Sequence, residues 1–190
     1  LSQKKGKIIA ISAPSGTGKT TIIKNILGNM PELVFSISAT TRKKRYNENE
    51  GVDYFFLTEE EFLQKIEKNE FVEWEKTYDY YYGTFKSFLA ENVENGKNTI
   101  LEIDVKGALN IKSIFSDAAL IFIKPPSIEV LINRLEQRKT ESEEDLKKRI
   151  DRVKMELEIE NKFDYVVVNN ELSKAVCEVE EIIKKVINKE

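Results

Sequence analysis

The sequence predicts an α/β fold, a parallel sheet covered by helices and interrupted by one small α+β insertion. Three observations carry that prediction. The apolar runs at 7–12, 99–103, 119–123 and 165–168 are continuous, not alternating, as in strands covered on both faces. Stretches with helical character separate them, and this β/α alternation implies a layered α/β core. Finally, a Gly-rich turn at 13–20 joins a β-branched run to a segment with helical spacing.

Taken in order, the first run (KIIAIS, 7–12) reads as a buried strand. Ile22, Ile23, Ile26 and Leu27 then fall at helical spacing, so the segment 20–27 is expected to be a helix. Between 36 and 88 the rhythm breaks: 52–57, 71–75 and 80–84 look like short strands around a helix over 58–68. Thr58 and Glu61 fit a capping box at the start of that helix. Further on, Leu146, Ile150, Val153, Leu157 and Phe163 predict a helix over 145–163. Leu172, Val176, Val179, Ile183 and Val186 predict another, and both are expected to lay one face on the sheet. The expected organisation is one domain over 1–190, with its core at 1–35 and 89–190 and an inserted subdomain at 36–88.

The length of 190 residues suits one well-buried core with a small insertion. A formal net charge of −3 argues against general nucleic-acid binding. There is one cysteine, Cys177, and no histidine, which excludes an internal disulfide, a Cys/His zinc site and a Ser-His-Asp triad. Cys177 lies among helical apolar positions and is assigned no role. The N-terminal segment leads into an apolar run too short for a signal-peptide core or a membrane span, so a cytoplasmic protein with no membrane partner is expected.

The turn reads Ala13-Pro14-Ser15-Gly16-Thr17-Gly18-Lys19-Thr20, followed by Thr21. In a loop of the form G-x-x-x-x-G-K-[ST] after a buried strand, backbone N–H groups and the helix N-terminus face phosphate oxygens. Lys19 would then reach the β- and γ-phosphates and the Thr20 hydroxyl would hold Mg²⁺. Ala13 stands where the motif has glycine, which is tolerable if its φ is negative. The competing reading is a chance turn, but the strand-to-helix context favours nucleotide binding and a P-loop NTPase-type sheet.

Arginine is scarce: six residues against thirty Lys and Arg together. They fall in two clusters, Arg42 and Arg45, then Arg134, Arg138, Arg149 and Arg152. Elsewhere the chain uses lysine for solvated charge, so two sites for bidentate phosphate contact are the simplest reading. The alternatives are a solvated or nucleic-acid-binding loop at 42–45 and a charged helix face in the second cluster. For Arg152 the helix-face reading, with i,i+4 acidic partners, is preferred.

With Ser36-Ile37-Ser38-Ala39-Thr40-Thr41-Arg42-Lys43-Lys44-Arg45, Gly51-Val52-Asp53-Tyr54-Phe55, Glu70-Phe71-Val72-Glu73-Trp74 and Tyr81-Tyr82-Gly83-Thr84 in hand, the chain closely resembles the guanylate kinase family of P-loop nucleoside monophosphate kinases. The resemblance spans nearly the whole length, including Leu101-Glu102-Ile103-Asp104 and Arg134-Leu135-Glu136-Gln137-Arg138. It implies that Arg42, Arg45, Tyr54 and Tyr82 hold the phosphate of GMP, that Ser38, Glu73 and Thr84 form the base pocket, and that Gly83 also belongs to the substrate site. A carboxylate at 73 would accept from guanine N1–H and N2–H₂ together, whereas adenine offers an acceptor at N1. From its neighbours alone, Glu73 reads as an exposed strand residue.

The resemblance further places Glu102 and Asp104 beside the ribose and the Mg²⁺ region, with Thr20 and Asp104 as metal-side residues. It makes Arg134, Arg138 and Arg149 the donor-side and lid arginines, with a lid over 137–149, and Asn169 an ATP-side residue. The implied reaction is Mg²⁺-dependent transfer of the ATP γ-phosphoryl group to GMP, and also to dGMP, by a monomer or homodimer. Where the family pattern has Pro and Gly, this chain has Lys44, Tyr46-Asn47-Glu48, Gln137 and Lys139, so loop geometry is expected to differ more than activity.

Overall fold

A computed structural model of the protein describes residues 4–77, 79–136 and 143–189, except for the side chains at 77, 134–136, 143–146, 148 and 149. The chain begins with β1 (Ile8–Ser12), α1 (Lys19–Asn29), β2 (Val34–Phe35), β3 (Ala39–Thr40), β4 (Phe55–Phe56) and α2 (Glu59–Glu67). It continues through β5 (Phe71–Thr77), β6 (Tyr80–Phe85), α3 (Lys86–Glu94), β7 (Thr99–Glu102), α4 (Val105–Ile114) and β8 (Ala119–Lys124). Helices α5 (Ile128–Glu136) and α6 (Glu143–Leu157), strand β9 (Tyr165–Val168) and helix α7 (Leu172–Asn188) complete it.

Five strands form a parallel sheet in the order β2-β7-β1-β8-β9. All five residues of β1, at its centre, are buried. Successive side chains on a strand point to opposite faces, and here both faces are covered. Ile9 and Ile11 join the core beneath α1 and α7, with Ile22, Ile26, Val179 and Ile183. Ile8 and Ala10 join the opposite core, with Leu89 of α3 and Ala108 and Ile111 of α4. This two-sided burial is why the run KIIAIS shows no polar alternation. No helix among the described residues is long and apolar enough to cross a membrane.

A second sheet of four strands, ordered β4-β3-β6-β5, is antiparallel except for the β3–β4 pair. Its core is aromatic: Phe62 of α2 stacks on Phe71 at 4.5 Å and on Tyr81 at 5.4 Å. Gly83 is required by this packing, because a Cβ there would stand 3.0 Å from both Phe62 and Phe71. Helix α2 opens with the expected capping box, in which the Thr58 hydroxyl accepts from the Glu61 N–H and the Glu61 carboxylate accepts from the Thr58 N–H.

Two local expectations change. The helix expected over 145–163 ends at Leu157, and a 3₁₀ turn (Glu160–Lys162) delivers Phe163 against Phe122, ring centroids 5.1 Å apart. Val153 of that helix packs on Leu131 of α5, so α6 rests mainly on a neighbouring helix, with Leu157 reaching the sheet-face core. The strand expected over 52–57 shrinks to Phe55–Phe56, because Gly51 at φ 69° begins a turn closed by its N–H to the Tyr54 carbonyl.

Candidate active site

The phosphate loop lies between the end of β1 and the start of α1. Gly16 (φ 89°) and Gly18 (φ 97°) adopt left-handed conformations that a Cβ would strain. Ala13 does not: among described residues only Asn69 combines a side chain with positive φ. Ala13 instead contributes its methyl group to the core, at 8% exposure. Gly18 caps α1 without a side-chain acceptor, which leaves the first-turn N–H groups of Lys19, Thr20 and Thr21 facing outward with the positive end of the helix dipole.

The loop is braced from below. Asn169, just past β9, is buried and its Nδ2 donates to the Thr17 carbonyl at 2.7 Å. The Thr17 N–H donates to Pro14 O at 3.2 Å, closing the turn around Ser15. The approach at Gly18 is tight, since a Cβ there would meet Asn169 Nδ2 at 2.8 Å.

Lys19 Nζ donates to the Ile103 carbonyl at 3.1 Å and lies 3.9 Å from Glu102 Oε1. Burial lowers its pKa, opposed by the negative charges of Glu102, Asp104 and Glu156. The Thr20 hydroxyl donates to Glu102 Oε1 at 2.6 Å. Asp104 is the N-cap of α4, its Oδ1 accepting from the Gly107 N–H at 2.7 Å. The carboxylate in contact with Thr20 is therefore Glu102, while Asp104 has one oxygen committed to a helix cap.

Between the two sheets lies a cavity of about 220 Å³ whose lining includes Lys19, Ser38, Tyr54, Glu73, Tyr82 and Glu102. Strand pairing sets Glu73 opposite Thr84, whose hydroxyl donates to Glu73 Oε1 at 2.7 Å. Burial pushes the Glu73 carboxyl up to about 7; the Thr84 hydrogen bond opposes that rise, and the charges of Asp104 and Glu75 add to it. Tyr54 and Tyr82 meet edge to face, ring centroids 6.2 Å apart, and burial raises the Tyr54 phenol.

Arg42 reaches this cleft through the tyrosines, its guanidinium lying 5.4 Å from the Tyr54 ring centroid. Its fork is held by Glu48, with Nη2 to Oε1 at 2.7 Å and Nη1 to Oε2 at 3.1 Å. Glu48 Oε2 also accepts from the Arg45 N–H at 2.8 Å, so one carboxylate closes the loop that carries both arginines. That hydrogen-bonded pairing raises the Arg42 pKa and lowers that of Glu48. Arg45 itself is exposed.

Arg152 of α6 is bound to Glu156 through Nε at 2.8 Å, the expected i,i+4 pair. Its Nη2 also lies 3.5 Å from Asp104 Oδ2 and 3.8 Å from Glu75 Oε1, so it spans three elements. Neither Glu48 nor these long-range contacts of Arg152 was visible in the sequence. An acid three residues beyond Arg45 was the only local signal for Glu48. Arg138 lies outside the described residues, as do residues 137–142 of the expected lid; Arg134 falls in α5 and Arg149 in α6, with side chains outside the description.

A family model described as guanylate kinase matches residues 5–186. The chain belongs to the guanylate kinase family. It is 48% identical over 181 residues to the guanylate kinase of Caldanaerobacter subterraneus subsp. tengcongensis, covering 95% of this chain and 88% of that one. It is 45% identical over 180 residues to that of Thermotoga maritima, covering 95% and 87%. A crystal structure of guanylate kinase from Anaplasma phagocytophilum superposes with a TM-score of 0.79 at 29% identity, covering 98% of this chain and 88% of that one. Membership in the guanylate kinase family makes the chain a phosphotransferase of the nucleoside monophosphate kinase type, and the two-sheet cleft beside the phosphate loop is where such chemistry can be housed.

Proposed function

We propose that this protein transfers the γ-phosphoryl group of ATP to GMP or dGMP, giving ADP and GDP or dGDP, as a Mg²⁺-dependent step of purine nucleotide metabolism in the cytoplasm. The observation that carries the proposal is that Lys19 and Glu73 line one cavity; Lys19 is then the cation for the phosphates and Glu73 the acceptor for guanine.

In this reading the subdomain at 36–88 binds the acceptor. Glu73, oriented by Thr84, accepts from guanine N1–H and N2–H₂, with Ser38 and Gly83 completing the base pocket. Tyr54, Tyr82, Arg42 and Arg45 donate to its phosphate, and Glu102 and Asp104 face its ribose side. On the donor side, the backbone of 13–18 and the first turn of α1 cradle the ATP phosphates, and Asn169 keeps the loop in shape. Lys19 with Arg134, Arg138 and Arg149 offsets charge on the moving group.

The acceptor phosphate oxygen attacks Pγ as the bond from Pγ to the ADP oxygen breaks, and ADP leaves with the electron pair. The nucleophile is already anionic, so no side-chain base is needed. Catalysis then rests on alignment, charge stabilisation and exclusion of water, for which the 36–88 subdomain and a lid at 137–149 would close over both nucleotides. The donor set suits Mg²⁺, since the Thr20 hydroxyl and the Glu102 carboxylate offer hard oxygens in contact, with Asp104 nearby. When bound there, the ion would neutralise phosphate charge.

The test is product analysis. Incubation with ATP, Mg²⁺ and GMP should yield ADP and GDP in equal amounts, and absence of GDP would refute the proposal.

A further inference from the structure

The cleft wall is acidic. Among the described residues Asp53, Glu73, Glu75, Glu102 and Asp104 line it, against one cationic lining residue, Lys19. A nucleoside monophosphate carries between one and two negative charges at neutral pH; Arg42 and Arg45 are proposed to meet its phosphate, but these five carboxylates oppose its approach by like charge, and compensating them from behind would lower that cost.

Arg152 stands in that place. It is not a lining residue, but its Nη2 is shared between Asp104 Oδ2 at 3.5 Å and Glu75 Oε1 at 3.8 Å, two of the five carboxylates. The Nε contact to Glu156 one helical turn away fixes the side chain across α6 and leaves Nη2 for the wall. The guanidinium is permanently charged, so the compensation persists at every working pH.

We propose that Arg152 is a positioning residue for the acceptor: by pairing with Asp104 and Glu75 it offsets the negative field of the cleft and admits an anionic mononucleotide. This rests on the proposed GMP reading. The effect is electrostatic and carried through the two carboxylates, so it distinguishes a charged ligand from a neutral one of the same shape.

The experiment measures GMP affinity by calorimetry and guanosine as a competitive inhibitor, for wild type, Arg152→Gln and Arg152→Lys, at low and high salt. At low salt Arg152→Gln should weaken GMP about tenfold. The deficit should shrink to about threefold or less near 1 M salt, where screening is strong. Guanosine should change less than about twofold, and Arg152→Lys should recover most of the GMP affinity, since it keeps the charge. Glu75→Gln, which removes one wall charge and leaves Arg152 in place, should tighten GMP. Equal losses for GMP and guanosine, an unchanged GMP affinity in Arg152→Gln, or failure of lysine to rescue would overturn the proposal. So would weaker GMP binding by Glu75→Gln. A wild-type protein that binds no GMP would refute the acceptor reading beneath it, whereas normal wild-type binding with an unaffected Arg152→Gln would refute the role of Arg152 alone.

Discussion

The Thr84 hydroxyl donates to the Glu73 carboxylate at 2.7 Å across the paired strands β5 and β6. Thr84 is 3% exposed, so the hydrogen bond fixes one oxygen of Glu73 from a rigid support. Burial wins over that hydrogen bond and holds the carboxyl near 7. Guanine needs the ionised form as a double acceptor, so the KM for GMP should rise as pH falls below about 7 while the KM for ATP stays flat. The stability effect has the opposite sense. Between its ordinary pKa and about 7 the folded protein keeps a proton that the unfolded chain has released, so stability falls as pH rises through that window, by up to about 3 kcal/mol. Glu73→Gln should flatten this part of the melting-temperature profile and lower kcat/KM for GMP by about a hundredfold or more.

Asn169 should act through the loop it braces. Asn169→Ala leaves the buried Thr17 carbonyl without its donor, at a cost of about 1–3 kcal/mol. The KM for ATP should rise and the KM for GMP should not, which initial-rate kinetics with each substrate varied in turn will show.

Replacement of Lys19 separates chemistry from folding. Lys19→Met keeps the aliphatic stem but removes the ammonium group that Glu102 and the Ile103 carbonyl hold in the cleft. Phosphoryl transfer should fall by about a hundredfold to a thousandfold, with circular dichroism and melting temperature near wild type. An unchanged rate would refute the assignment of the loop.

Glu48 should matter because it orders Arg42 and the Arg45 backbone at once. Glu48→Gln loses the charged, bidentate grip on Arg42, so the KM for GMP should rise on the order of tenfold with the KM for ATP unchanged. Binding isotherms for the two nucleotides check this directly.

The core strands were legible because each is covered on both faces and so reads as an unbroken apolar run, β1 most clearly. Strands β2 and β3 were not, since a two-residue strand has no period to detect, and β4 was read only as part of a longer run over 52–57. Phe163 was counted with the helix although it lies six residues past Leu157, off the helical period, and the 3₁₀ turn at Glu160–Lys162 separates it from α6. Within the cleft, the local pattern around Glu73 describes a strand edge between Phe71 and the half-exposed Trp74. Its burial comes from apposition to the other sheet, which no window of neighbours contains. The partners of Arg152 have the same origin, lying 48 residues away at Asp104 and farther still at Glu75.

The central claim is that one cleft joins a phosphate loop to a guanine-selective acceptor site. The most direct test is kcat/KM for the wild-type protein with ATP and each of GMP, dGMP, AMP, CMP, UMP and dTMP. GMP should lead with dGMP next, and AMP should fall behind by about a thousandfold or more, since adenine N1 would face the Glu73 carboxylate lone pair to lone pair. Efficient turnover of AMP with none of GMP would contradict the account.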